Sequence, residues 1–204
     1  MRTQMAAAAL AAAAALSAGL STTASSAATA ATWTVTPGGS TGGSGPGTLK
    51  DTTAGTTVFT CTALGLSLLF KSGSGLTNPL ASISALRVSG CPTTVTITAG
   101  GLPWQLNGSS YDASTGVTTG TISGIDMRIT EPGCSVTADG TAAGADNGRA
   151  TIHYANATGK LKIGPGGSLR LWAVSGCLGM FHTGDRAALT DTITLTPHEH
   201  ITSP

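Results

Sequence analysis

Apolar and polar residues alternate with a period of two along much of the chain, the signature of strands with one buried face. Thr32-Trp33-Thr34-Val35-Thr36 puts Trp33 and Val35 on one side and three threonines on the other. Thr94-Val95-Thr96-Ile97-Thr98 repeats the scheme, as does Thr190-Asp191-Thr192-Ile193-Thr194-Leu195-Thr196, with the threonines outward. Ala150-Thr151-Ile152-His153-Tyr154 buries Ile152 and Tyr154 and sends His153 to solvent. No helical stripe appears after residue 30. Glycine pairs, prolines and Asn-Gly steps punctuate these runs every ten to fifteen residues. The pattern predicts an all-β fold, an antiparallel β-sandwich or barrel.

Turn chemistry adds two local expectations. Asp146-Asn147-Gly148 reads as a tight hairpin turn joining the strand from Cys134 to the one ending near Tyr154, because Asn-Gly supplies positive φ angles. The Gly/Ser/Thr-rich segment 38–47 reads as a mobile loop without a domain boundary.

Composition supports a folded domain. Thr accounts for 35 of 204 residues and 40% of the chain is hydrophobic, although there are 29 glycines and only 4% aromatics. Ten Lys+Arg face nine Asp+Glu. This near-neutral balance lacks the clustered basic residues of a nucleic-acid footprint.

Residues 1–30 read as a signal peptide. Arg2 precedes an Ala/Leu run from Ala6 to Leu20, and Ala28-Thr29-Ala30 places small residues at −3 and −1 of a cleavage site. The run is short and weakly apolar for a membrane span, no lipid-attachment Cys follows, and the C-terminus carries no anchor. The expected product is residues 31–204, secreted, with nine charges of each sign once Arg2 is lost.

Export decides the cysteines. Cys61, Cys91, Cys134 and Cys177 are even in number, and none forms a C-x-x-C pair. Val88-Ser89-Gly90-Cys91 recurs as Val174-Ser175-Gly176-Cys177, each after a Lys and a Gly-rich turn. The echo suggests two pseudo-repeated halves, about 48–100 and 117–196, each closing its own bridge: Cys61–Cys91 and Cys134–Cys177.

The search for chemistry is mostly negative. Gly38-Gly39-Ser40-Thr41-Gly42 has the letters of a nucleophile elbow, but no helix follows it. His182 and Asp185 form a loop contact without an activated nucleophile. His198 and His200 share a side of an extended tail, with Glu199 opposite, and read as solvated. Asp139, Asp146 and Asn147 do not match an EF-hand spacing. Trp104 shares a face with Leu106 and belongs to the core; the sharper alternative is a sugar platform with Tyr111. The expectation is no catalytic residue, no metal and no cofactor.

One surface stands out. Lys160-Leu161-Lys162-Ile163 and Leu169-Arg170-Leu171-Trp172-Ala173 read as a hairpin over Gly164 to Ser168 that pairs Lys162 with Arg170 and Lys160 with Trp172. Two lysines, an arginine and an outward tryptophan suit cell-envelope glycan or another anionic polymer. The alternative is an extracellular carrier of a small apolar ligand in a cavity between sheets.

Five segments carry a resemblance: the Ala-rich leader, Ala31-Thr32-Trp33-Thr34-Val35-Thr36-Pro37-Gly38-Gly39, Gly101-Leu102-Pro103-Trp104-Gln105-Leu106-Asn107, the turn from Asp112 to Gly120, and the ending Ile201-Thr202-Ser203-Pro204. Together they resemble a group of uncharacterised secreted actinomycete proteins. That resemblance implies neither an activity nor a ligand. In composition and presumed disulfides the chain is also similar to the enediyne-binding apoproteins and the subtilisin inhibitors, without their site motifs.

Overall fold

The structure, a computed structural model, describes residues 31–92 and 94–204; the leader read in residues 1–30 lies outside them. Fourteen strands and no helix make up the described residues. Eight strands close into an antiparallel barrel in the order β10 (Gly148–Ala155), β11 (Lys160–Gly167), β13 (Ala187–Thr194), β2 (Gly39–Asp51), β3 (Thr57–Phe70), β5 (Ala81–Ser89), β7 (Trp104–Asp112), β8 (Val117–Glu131). Pairing of β8 with β10 completes the ring, so these strands share no free edge.

A second, smaller sheet grows from β8. Its first half pairs with β7 and β10, while its second half pairs with β6 (Thr96–Gly100) and β9 (Cys134–Asp139). The change occurs at Gly124, whose φ is +87°. The inward set shifts there from Thr118, Gly120 and Ile122 to Ile125, Met127 and Ile129. Such a parity switch is what a bulge does, and glycine adopts the required backbone without strain. Strand β12 (Arg170–Ser175) adds to β9.

Period two correctly assigns the inward faces. Trp33, Val35, Ile152, Tyr154, Ile193 and Leu195 are all buried, as is Trp104. In β3 the buried set runs Phe59 and Cys61, then Leu64, Leu66, Leu68 and Phe70, because a register shift between them flips the parity. The wall is apolar inside and Ser/Thr-rich outside, the reverse of a transmembrane barrel. Interior positions of an eight-stranded barrel are filled by side chains, and Leu64, Ile83, Leu106 and Ile152 are fully buried.

A three-stranded sheet, β14 (His200–Thr202), β1 (Trp33–Thr36) and β4 (Gly73–Leu76), packs its apolar residues into the same core. The Trp33 ring lies against Gly108, where any side chain would strike it. The C-terminal tail, expected to fray, instead forms β14, although His198 and His200 themselves are exposed. Glu199 and Ile201 are fully buried; the Tyr154 hydroxyl donates to the Glu199 carbonyl (2.7 Å) and accepts from its N–H (2.8 Å). Asn156 makes the equivalent pair with Ile201. Burial is the main reason the Tyr154 hydroxyl is pushed up to about 12.

Segment 38–47 is likewise no mobile loop; most of it belongs to β2, which pairs along its length with β3. Its glycines serve close approach. A Cβ on Gly43 or Gly45 would meet the carbonyl oxygen of Thr194 or Thr192, and on Gly45 also the Asp191 carboxylate. Gly45→Ala is therefore expected to destabilise the protein by about 2–4 kcal/mol, measured by urea denaturation. Unchanged stability would mean that β2 does not lie against β13 this closely.

Both bridges form as the internal echo suggests, Cys61–Cys91 and Cys134–Cys177, leaving no free cysteine. In the chain-entropy account, closures of 30 and 43 residues contribute about 3.5–4 kcal/mol each. Such pairs are typical of extracellular proteins.

A cationic trough where the barrel meets the side sheet

The hairpin expected over Gly164 to Ser168 does not form. Strand β11 pairs with β10 and β13, so Lys162 lies opposite His153 and Thr192, and Lys160 opposite Ala155 and Thr194. Strand β12 pairs with β9 instead, placing Trp172 opposite Thr137 and Arg170 opposite Asp139. The short loop suggested a hairpin because sequence periodicity cannot distinguish a local partner from a distant one. The barrel wall supplied the partners of β11, and the side sheet supplied β9 for β12.

Arg170 and Trp172 nevertheless gain new company. Arg186 sits opposite Arg170 across an isolated bridge, and the Arg170 guanidinium donates to the Gly184 carbonyl at 2.8 Å. The Trp172 indole N–H donates to the Gly140 carbonyl at 3.1 Å. A hollow of about 470 Å³ runs along Pro165 to Arg170 and Arg186. A second, of about 530 Å³, is lined by Asn147, Arg149, Arg170 and Trp172. They share Ser168 and Arg170, so the two form one trough.

Arg149 and Arg186 were missed by sequence reasoning. They lie far from Arg170 in the chain, and no spacing rule connects them. The one contact within 4 Å between a basic side chain and a carboxylate among the described residues is His182–Asp185 at 3.5 Å, the loop contact anticipated from sequence. No trough arginine is neutralised by a carboxylate at that distance.

Burial changes the charge balance seen from outside. Four of the nine carboxylates in residues 31–204, Asp51, Asp139, Asp191 and Glu199, are buried. All nine Lys and Arg in that range are exposed except Arg170, which is half-buried. Residues 31–204, of zero formal charge, thus present nine cations against five anionic groups.

The loop flooring the trough is built on Asp139. One of its oxygens accepts from the N–H groups of Gly140 (2.6 Å), Asn147 (3.1 Å) and Gly148 (3.1 Å). The other accepts from Ala145 (2.9 Å) and Asp146 (3.1 Å). The expected Asn-Gly hairpin is not present: β9 and β10 do not pair, and Asp146, not Asn147, takes the positive φ of +51°. The fold brings Asp126, Asp139 and Asp146 within 4.8 Å of one another. Both Asp139 oxygens are engaged by backbone donors, which makes that carboxylate a loop anchor. Burial, then the charges of Asp139 and Asp146, raise the Asp126 carboxyl above its ordinary value.

The remaining candidates are structural. Trp104 is buried and donates to the Gly100 carbonyl at 2.9 Å, so it offers no sugar platform with Tyr111. Ser40 lies within β2 and not on a strand-to-helix turn. His198 and His200 are exposed on either side of the buried Glu199.

No curated protein and no solved structure matches the chain. A family model described as alkane oxidation protein activator PraA/PraB-like matches residues 1–185; it does not bear on export or on an actinomycete source. With the match spanning nearly all of the sequence, the chain belongs to the alkane oxidation protein activator PraA/PraB-like family.

Proposed function

We propose that this chain is a secreted, non-catalytic accessory protein that holds an extended anionic polymer of the cell envelope along the Arg149–Arg170–Arg186 trough. One observation carries the reading: three arginines with no carboxylate partner within 4 Å line connected hollows beside Trp172. A guanidinium binds carboxylate or phosphate in a planar fork, and an indole face beside it suits a sugar ring. The description of the family as an activator agrees with an accessory role. The Ala-rich leader and the two disulfides support export.

Lys160 and Lys162 line neither hollow and act only through long-range charge, which salt screens. An apolar ligand held inside the barrel has less support, because Trp33, Tyr154 and the aliphatic side chains occupy the interior.

Cosedimentation with purified cell-wall glycan at about 0.1 M salt tests the proposal. Arg170→Gln with Arg186→Gln is expected to weaken binding tenfold or more, Trp172→Ala severalfold, and Lys162→Gln by less than twofold. Binding that survives the double arginine variant overturns it.

A further inference from the structure

We infer that the trough continues into an apolar end, and that the anionic polymer it holds is lipid-bearing, an amphiphile whose phosphate or carboxylate groups lie at the arginines and whose alkyl chain runs to Leu69. The inference rests on the trough reading above and adds the chemistry of the ligand's other end.

The argument starts from one row of outward side chains around the barrel. Strand pairing sets Ser40 opposite Leu69, Leu69 opposite Ser82, Ser82 opposite Gln105, Gln105 opposite Ser123, and Ser123 opposite Arg149. Every member of this row is polar except Leu69, which is 54% exposed. A lone exposed leucine needs no explanation by itself. Here, however, it forms the wall of a hollow of about 370 Å³ with Phe70, Pro79, Ala81 and Gln105, rimmed by Lys71. That volume lies at the small end of ligand sites, about 300–1,000 Å³.

Gln105 joins this hollow to the cationic end. It also lines a third hollow, of about 340 Å³, together with Ser123, Asn147 and Arg149. Asn147 and Arg149 in turn line the 530 Å³ hollow that holds Arg170 and Trp172. From Leu69 to Arg149 the path crosses four strand steps of about 4.8 Å, roughly 19 Å along the wall. Asp146 lines the middle hollow, which favours placing the anionic head beyond it, against Arg149 and Arg170. The uncharged stretch over Gln105 and Ser123 is left to the chain or to a hydroxylated linker. One end of the path favours negative charge and the other favours hydrocarbon, as an amphiphile requires.

The probes are n-alkyl phosphates from butyl to hexadecyl, below their micellar concentrations, titrated calorimetrically into the disulfide-intact protein. Affinity is expected to rise at least twofold per added methylene over the longer members. Leu69→Ser, an exposed position whose melting temperature should match the parent, should flatten that rise without changing butyl phosphate binding. Arg149→Gln should weaken the whole series alike. Affinity independent of chain length, or a rise that survives Leu69→Ser, overturns the amphiphile while leaving the cationic trough intact. Failure of both alkyl phosphates and cell-wall glycan to bind removes the trough reading, and this inference with it.

Discussion

Replacing Asp139 with alanine is expected to destabilise the protein by about 3–5 kcal/mol, the largest effect of any single polar substitution. The carboxylate accepts five backbone N–H groups from Gly140 and residues 145 to 148. A buried donor left without a partner costs about 1–3 kcal/mol. Water can reach part of this loop once it opens, so the five penalties do not add in full. For a domain of this size the loss corresponds to a melting temperature lower by roughly 10 °C. Asp139→Asn should cost about half as much, because one oxygen keeps its three donors while the new amide faces the other two. Trp172 donates to Gly140, and Asn147 lines the trough, so ligand binding should fall with the loop. Thermal melts of both variants check this; a shift below 2 °C for the alanine variant would mean that the loop holds its shape without the carboxylate.

Asp191 gives the second large effect, of opposite sign. Its side chain shares the inward face of β13 with Leu189 and Ile193 and is 5% exposed. One oxygen accepts from the Thr192 N–H at 2.5 Å, and the other has no partner. Burial pushes the carboxyl up from 3.8 to about 6, only partly opposed by the Thr192 N–H. The folded protein therefore holds this proton more tightly than the unfolded chain. Stability from this group is complete below about pH 4 and is lost as pH rises to about 6. Above that the ionised carboxylate leaves a penalty of up to about 3 kcal/mol. Asp191→Asn keeps the bond to Thr192 and never ionises, but its amide acquires an unpartnered donor. The expected net gain is about 1–2 kcal/mol at pH 8 and none at pH 4. Denaturation curves from pH 4 to 8 measure the difference, and a gap between parent and variant that stays constant across that range would refute it. Asp126, raised for similar reasons, is common to both proteins and cancels.

The two aspartates show how far the sequence can be read. Asp191 sits between Thr190 and Thr192 with the same parity as Ile193, so the alternation already placed a carboxylate on the inward face. Asp139 follows Val136 and Ala138 in a strand whose pattern suggests an outward side chain. Its burial comes from a loop that folds back over it, which no local rule signals. The glycines mislead in the other direction. Gly43 and Gly45 look like flexibility when counted, yet each lets a strand approach another chain segment without a side chain between them.

The candidate site was half legible. Arg170 and Trp172 stood out because basic and aromatic residues alternate on one short strand. Arg149 and Arg186 did not, since each is a single basic residue with no basic or aromatic neighbour in sequence, one in β10 and the other on the bridge just before β13. Lys160 and Lys162 shared the pattern of Arg170 but belong to another part of the wall.

Local alternation determined that this chain forms strands, which residues of most strands face inward, and, through the Val-Ser-Gly-Cys echo, which cysteines pair. The first two are short-range properties, because pleat and side-chain direction follow from the backbone of each strand alone. Strand order, the barrel's closure through β8 and β10, the parity switch at Gly124 and the meeting of the arginines were decided only by the tertiary structure. Pairing free energy depends little on how far apart two strands lie in sequence, so the choice of partner falls to whatever arrangement buries the whole inward face at once.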